Sequence, residues 1–245
     1  MNRQKPTVAT LLSITIMLCG LAQAEDNRNY NSPTLGPPPT SDPPRPWAQA
    51  AKKTLPPGKP GKDYTPAIAP NGKKAEYKIV DGVKVFHLVA EPIEWQVADG
   101  LTIRTWGYNG SVPGPMIEIA ENDRVRIYVS NRIPAPTSVH WHGLRLPNGM
   151  DGVSGITQPA IKPGETFKYE FIFQDAGTFM YHPHFDSMTQ EGLGMTGMIV
   201  VHERERDKTL RPDRDFVIML HEWKIEAGTD RPDPNEMADF NVLTM

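Results

Sequence analysis

The chain has 245 residues, a formal net charge of −3, 25 prolines, seven histidines and a single cysteine. The mild acidity argues against a nucleic-acid partner, and one cysteine excludes an internal disulfide and a Cys-rich zinc site. Residues 1–24 read as an export signal: Arg3 and Lys5, an apolar run from Val8 to Leu21, then the small-X-small site Ala22-Gln23-Ala24. The run is too short and interrupted for a transmembrane helix, so no stable membrane anchor is expected after cleavage. Cleavage after Ala24 removes two positive charges and no acid, moving the charge from −3 to −5, and takes Cys19 with it. The mature chain then has no thiolate for a copper centre. The expected location is the periplasm, or outside the cell.

Residues 25–75 form a Pro-rich stretch, with Pro37-Pro38-Pro39, Pro43-Pro44 and Pro56-Pro57, and read as a disordered linker. Residues 76–203 then show short strands between turn signals. Val83–Val89 is one. Ile93–Val97 and Leu101–Trp106 flank the hairpin turn Asp99-Gly100. Met116–Ile119 and the alternating Val125, Ile127 and Val129 follow. Ser138–Leu144, the alternating Phe167 to Phe173, Phe179–His184 and Met195–Val201 complete the set. No stretch has a convincing helical period, so the expectation is an all-β sandwich. Residues 204–245 read as a charged connector and the start of a truncated second domain, with Phe216–Trp223 as its first strand.

Four of the seven histidines fall in two copies of one spacing, His140-Trp141-His142 and His182-Pro183-His184. Residues two apart on a strand point the same way, roughly 7 Å apart. If the two strands are neighbours, four imidazoles converge, a donor set suited to copper, zinc, iron or nickel. Trp141 would face the opposite side and pack. Pro183 cannot donate a ladder hydrogen bond, so it marks an edge, a strand end or a bulge. No glutamate or further histidine follows at the spacing that cupin or metallo-β-lactamase sites need. His87, His202 and His221 read as ordinary strand residues. Met180, Met188, Met195 and Met198 surround the second pair, and Met195 and Met198 read as packing.

Asn109-Gly110-Ser111-Val112-Pro113-Gly114-Pro115, Thr137 to Gly143, Asp151-Gly152-Val153 with Thr157-Gln158, and Gly177 to His184 together resemble the N-terminal domain of multicopper oxidases. These are laccase-like enzymes, including bacterial periplasmic copper oxidases of the copper-resistance type. The resemblance runs in order from Lys78 to about Val201. It implies a cupredoxin-like Greek-key β-sandwich, with the first strands of an incomplete second such domain.

The resemblance further implies that the four histidines are half of the eight ligands of a trinuclear copper cluster. His140 resembles a type 2 copper ligand, and His142, His182 and His184 resemble type 3 ligands. Asp151 resembles a carboxylate that assists proton delivery as O2 is reduced to water. Pro183 stands where many relatives have serine. The family's other four ligands, and the His-Cys-His segment of its type 1 copper, lie in a C-terminal cupredoxin domain that this chain lacks. The expected function of an intact parent is oxidation of a one-electron donor, Cu(I) or a phenol, with O2 as acceptor. This chain alone is expected to be inactive. The alternatives are a non-catalytic periplasmic copper-binding protein and a zinc hydrolase.

Overall fold

The structure is a computed structural model and describes residues 55–204, 212–235 and 240–245. The expected signal segment, and the linker up to residue 54, lie outside the described residues.

Two sheets face each other. The first holds β2 (Tyr77–Val80), β3 (Val83–Ala98), β4 (Leu101–Tyr108), β6 (Arg124–Asn131) and β8 (Thr166–Ile172). Its order is β2-β3-β6-β8, with β4 also paired to β3. The second has the order β5-β10-β9-β7, from β5 (Gly114–Ala120), β7 (His140–His142), β9 (Gly177–His182) and β10 (Gly197–His202). From β4 to β9 the chain alternates between the two sheets. The β3–β6 and β5–β10 pairs are parallel, and the others in these sheets are antiparallel.

Strand alternation builds the core between the sheets. Phe86, Leu88 and Ala90 of β3, Val125, Ile127 and Val129 of β6, and Tyr169 and Phe171 of β8 meet Ile117, Ile119, Trp141, Tyr181 and Ile199 of the second sheet. Three expectations need correction. Val83–Val89 and Ile93–Val97 are one unbroken strand, because pairing to β6 ends at Ala90. Beyond that point one side of β3 has no ladder, so Pro92 removes no hydrogen bond there. The stretch Phe216–Trp223 is two short strands, β11 (Asp215–Phe216) and β12 (His221–Trp223), rather than one. The third correction concerns residues 55–75, which are not a free linker.

From residue 55 the chain is strapped to the sandwich. Its strand β1 (Ala67–Ile68) pairs in parallel with β11. Ala67 is buried against Met116, Met198, Val200 and Val217 on the outer face of the second sheet. The Glu118 carboxylate accepts hydrogen bonds from the Ala67 amide and the Lys74 ammonium, and bonds the His202 ring. Asp123, fully buried, accepts from the Gly58 amide at 2.8 Å and the Arg204 guanidinium at 2.5 Å. Lys84 Nζ, equally buried, lies 2.8 Å from the same carboxylate and 4.8 Å from the Tyr77 ring centre. Prolines disfavour regular structure, but they do not prevent a segment from docking when its amides find acceptors.

Beyond β11 and Val217 the chain reaches a separate apolar cluster. Trp223 and Ile225 bury against Ile103 and Val112, with Ile93, Trp95 and Val97 of β3 around them. There β12 pairs with β13 (Val242–Thr244). Removing a buried charge's partner is costly, so Asp123→Ala, which takes the carboxylate from Lys84 and from three further donors (the Gly58 and Ala120 amides and Arg204), is expected to lose about 3–5 kcal/mol in urea denaturation.

His221 at the start of β12 is buried beside Trp223, with ring centres 4.2 Å apart. Burial depresses its imidazole to about 4, against a weaker upward pull from the Glu191 charge. The unfolded chain binds this proton near pH 6.5 and the fold resists it, so stability falls as pH drops from 6.5 toward 4. The expected loss is on the order of 2–3 kcal/mol. His221→Gln should flatten the melting temperature across that window. An unchanged slope would assign the acid sensitivity elsewhere.

Candidate metal centre

Strands β7 and β9 are antiparallel neighbours, with His140 opposite His182, Trp141 opposite Tyr181 and His142 opposite Met180. Alternation sends Trp141 and Tyr181 into the core, where neither is exposed, and turns the three histidines to the outer face. The Trp141 ring meets Tyr169 edge-on at 5.1 Å and Phe171 at 5.6 Å. Tyr181 lies over Gly114 and Gly197, where any Cβ would overlap its ring or hydroxyl, and that hydroxyl donates to the Pro115 carbonyl at 2.9 Å. The inner face of each strand is thus fixed by an aromatic, and the outer face inherits the fixed direction.

Pro183 is the first residue beyond β9, a strand end, one of the three placements its missing N–H allows, and His184 follows it. His140 is the centre of the group. Its ring centre lies 5.6 Å from His142, 5.4 Å from His182 and 5.3 Å from His184. One ligand nitrogen from each of His140, His142 and His182 lies within 4.8 Å of the others. His142 and His184 are exposed, whereas His182 is buried.

The hydrogen bonds settle two tautomers. His140 Nδ1 faces the Asp151 carbonyl oxygen at 2.6 Å. A carbonyl only accepts, so Nδ1 carries the proton and Nε2 is left with its lone pair. His182 Nδ1 faces the Pro183 carbonyl at 2.9 Å and a Glu191 carboxylate oxygen at 2.8 Å, which frees its Nε2 in the same way. That Nε2 lies 3.1 Å from His142 Nδ1, so the His142 proton there is the one a metal would displace. Burial pulls the His140 imidazole below its usual value, and the opposing pull of Asp151 does not restore it. Burial also pulls on His182, but the Glu191 hydrogen bond and charge outweigh it, so its net shift is upward.

Asp151 reaches the site by its backbone. It follows the short 3-10 turn Asn148–Met150, and its carboxylate oxygen stands 3.6 Å from His140 Nδ1. Gly152 makes the approach possible, since a Cβ there would overlap the Val139 carbonyl, and its φ of +84° suits glycine. Glu191 carries no signal in the sequence. It sits on α1 (Ser187–Gly192), a six-residue helix too short to show a period, within what reads as a loop. The other histidines have ordinary partners: His87 bonds Ser130 Oγ at 2.8 Å, and His202 stacks on Tyr64 and bonds Glu118. Met195 and Met198 fill the two cores, as expected.

Fold and site together define an all-β, cupredoxin-like sandwich bearing a group of histidines that could hold a metal ion. Residues 90–206 match the family model described as multicopper oxidase. Over 118 residues the chain is 42% identical to copper resistance protein A of Pseudomonas syringae pv. tomato, covering 48% of this chain and 19% of that one. It is 36% identical over 153 residues to multicopper oxidase MmcO of Mycobacterium tuberculosis, covering 60% and 28%. Among solved structures, Lac15 from a marine microbial metagenome superposes with a TM-score of 0.55 at 33% identity, over 64% of this chain and 41% of that one. The multicopper oxidase mgLAC gives 0.56 at 30%, over 64% and 51%. The chain thus spans about a fifth to three tenths of these two curated relatives.

Trp141→Ala would leave a cavity beneath both histidines of β7. A loss of about 3–5 kcal/mol is expected in urea denaturation. Trp141→Phe, which keeps an aromatic there, should retain most of that stability.

Proposed function

We propose that this chain is the N-terminal portion of an exported multicopper oxidase, and that its histidines supply half of a trinuclear copper cluster. His140 would serve the type 2 copper, and His142, His182 and His184 the type 3 pair. The observation that carries this reading is the convergence of four imidazoles around His140 on one outward face. An all-imidazole donor set suits copper. Bound copper supplies one-electron redox steps between a reducing donor and O2.

The chain's own residues have distinct parts in this reading. His140 and His182 present Nε2 lone pairs, held so by acceptors behind them. Exposed His142 and His184 leave the outward side of the group accessible to ligands from another domain. Asp151, part-exposed and 3.6 Å from His140, would carry protons toward the site. In the whole protein a Cu(I) ion or a phenol would be the donor, in keeping with the copper-resistance and oxidase names of the relatives. Residues 1–24 would direct the protein to the periplasm. No helix among the described residues is long and apolar enough to cross a membrane.

A second reading, a non-catalytic copper-binding protein, is favoured by the His140, His142 and His182 nitrogens, which already suffice for one metal ion. The two are separable. The mature chain should bind copper, lose at least tenfold in affinity in His140→Ala, and show no sustained oxygen uptake with a phenolic donor. Uptake restored by co-expression with the C-terminal domain of a copper resistance protein A supports the half-cluster reading. Tight binding of a single copper that no such domain activates supports the second. Sustained turnover by this chain alone would refute both.

A further inference from the structure

We infer that Glu191 is a positioning residue for the metal centre: its carboxylate holds the His182 ring in one tautomer and orientation, with Nε2 aimed at the metal. This rests on the reading of His182 as a copper ligand. The contact is direct, with Glu191 Oε1 2.8 Å from His182 Nδ1. The Pro183 carbonyl also lies near Nδ1, but it is neutral and shared with the Ser187 hydroxyl, which donates to it at 3.1 Å. A carboxylate makes the stronger bond to an imidazole N–H.

The helix that carries Glu191 is itself held. Gln190, its buried neighbour, accepts from Thr137 Oγ1 at 2.7 Å and donates through Nε2 to the Pro136 carbonyl at 2.8 Å. Those residues lead directly into β7. The Gln190 backbone carbonyl accepts from Met195, ahead of β10. One turn of helix therefore fixes the approach to His140 and His142 with one side chain and the orientation of His182 with the next. Partners of this kind behind a metal-bound histidine set its tautomer, and removing them typically weakens metal binding about 10–100-fold.

The test uses the full chain with 15N-labelled histidine. In the metal-free protein, long-range proton–nitrogen spectra should show His182 as the Nδ1–H form. In Glu191→Ala a substantial Nε2–H population should appear, and titrated Cu(II) should bind at least tenfold more weakly, with an altered EPR spectrum. Glu191→Met, which keeps the side-chain volume but has no acceptor, should behave alike if the alanine variant folds poorly. If both variants keep the Nδ1–H form, and copper affinity within about twofold, the inference is overturned. If the wild-type chain binds no copper, the half-cluster reading fails, while the metal-free spectra still decide whether Glu191 sets the ring.

Discussion

The histidine cluster depends on one constraint, the register between β7 and β9. With His140 opposite His182, alternation puts Trp141 opposite Tyr181 on the inner face. Both aromatics are fully buried, so a slip of one residue would drive the imidazoles into the core and expose two large apolar rings. Hydrophobic packing thus fixes the direction of the imidazoles on the opposite face. A strand of three residues has too few ladder bonds to hold its own register. The core residue between the two histidines does so.

Around that constraint the chain arranges acceptors rather than more donors. A backbone carbonyl stands behind His140, and a carbonyl and a carboxylate stand behind His182. Each commits Nδ1 to a proton and leaves Nε2 for chemistry. The two imidazoles shift in opposite directions because burial dominates at His140, whereas a full negative charge faces His182. Such a set fixes ring orientation, with burial favouring the neutral form of His140 and the Glu191 charge favouring a protonated His182.

Much of this was legible in the sequence. The His-X-His spacing implied a shared face, Trp141 an inward neighbour, Pro183 a strand end, and the alternating Val125–Val129 and Phe167–Phe173 the halves of a core. What was not legible has physical causes. Glu191 depends on a six-residue helix below the length at which a period shows. Asp151 meets His140 through its backbone carbonyl, which any residue could supply, and the signal for that lay in Gly152. Residues 55–75 look like linker by composition, yet their docking rests on single amides meeting Glu118 and Asp123, which no composition encodes. The stretch Phe216–Trp223 is apolar enough for one strand, but its two ends pair with different partners, β1 and β13.

Asp123 has a consequence of another kind. Its carboxylate meets Gly58 on the arriving chain and Arg204 on the departing one, and the Arg204 guanidinium also reaches the Pro56 carbonyl. The segments around Gly58 and Arg204 therefore meet at one buried carboxylate. Loss of that carboxylate would therefore loosen the strap before β1 and the segment after β10 together.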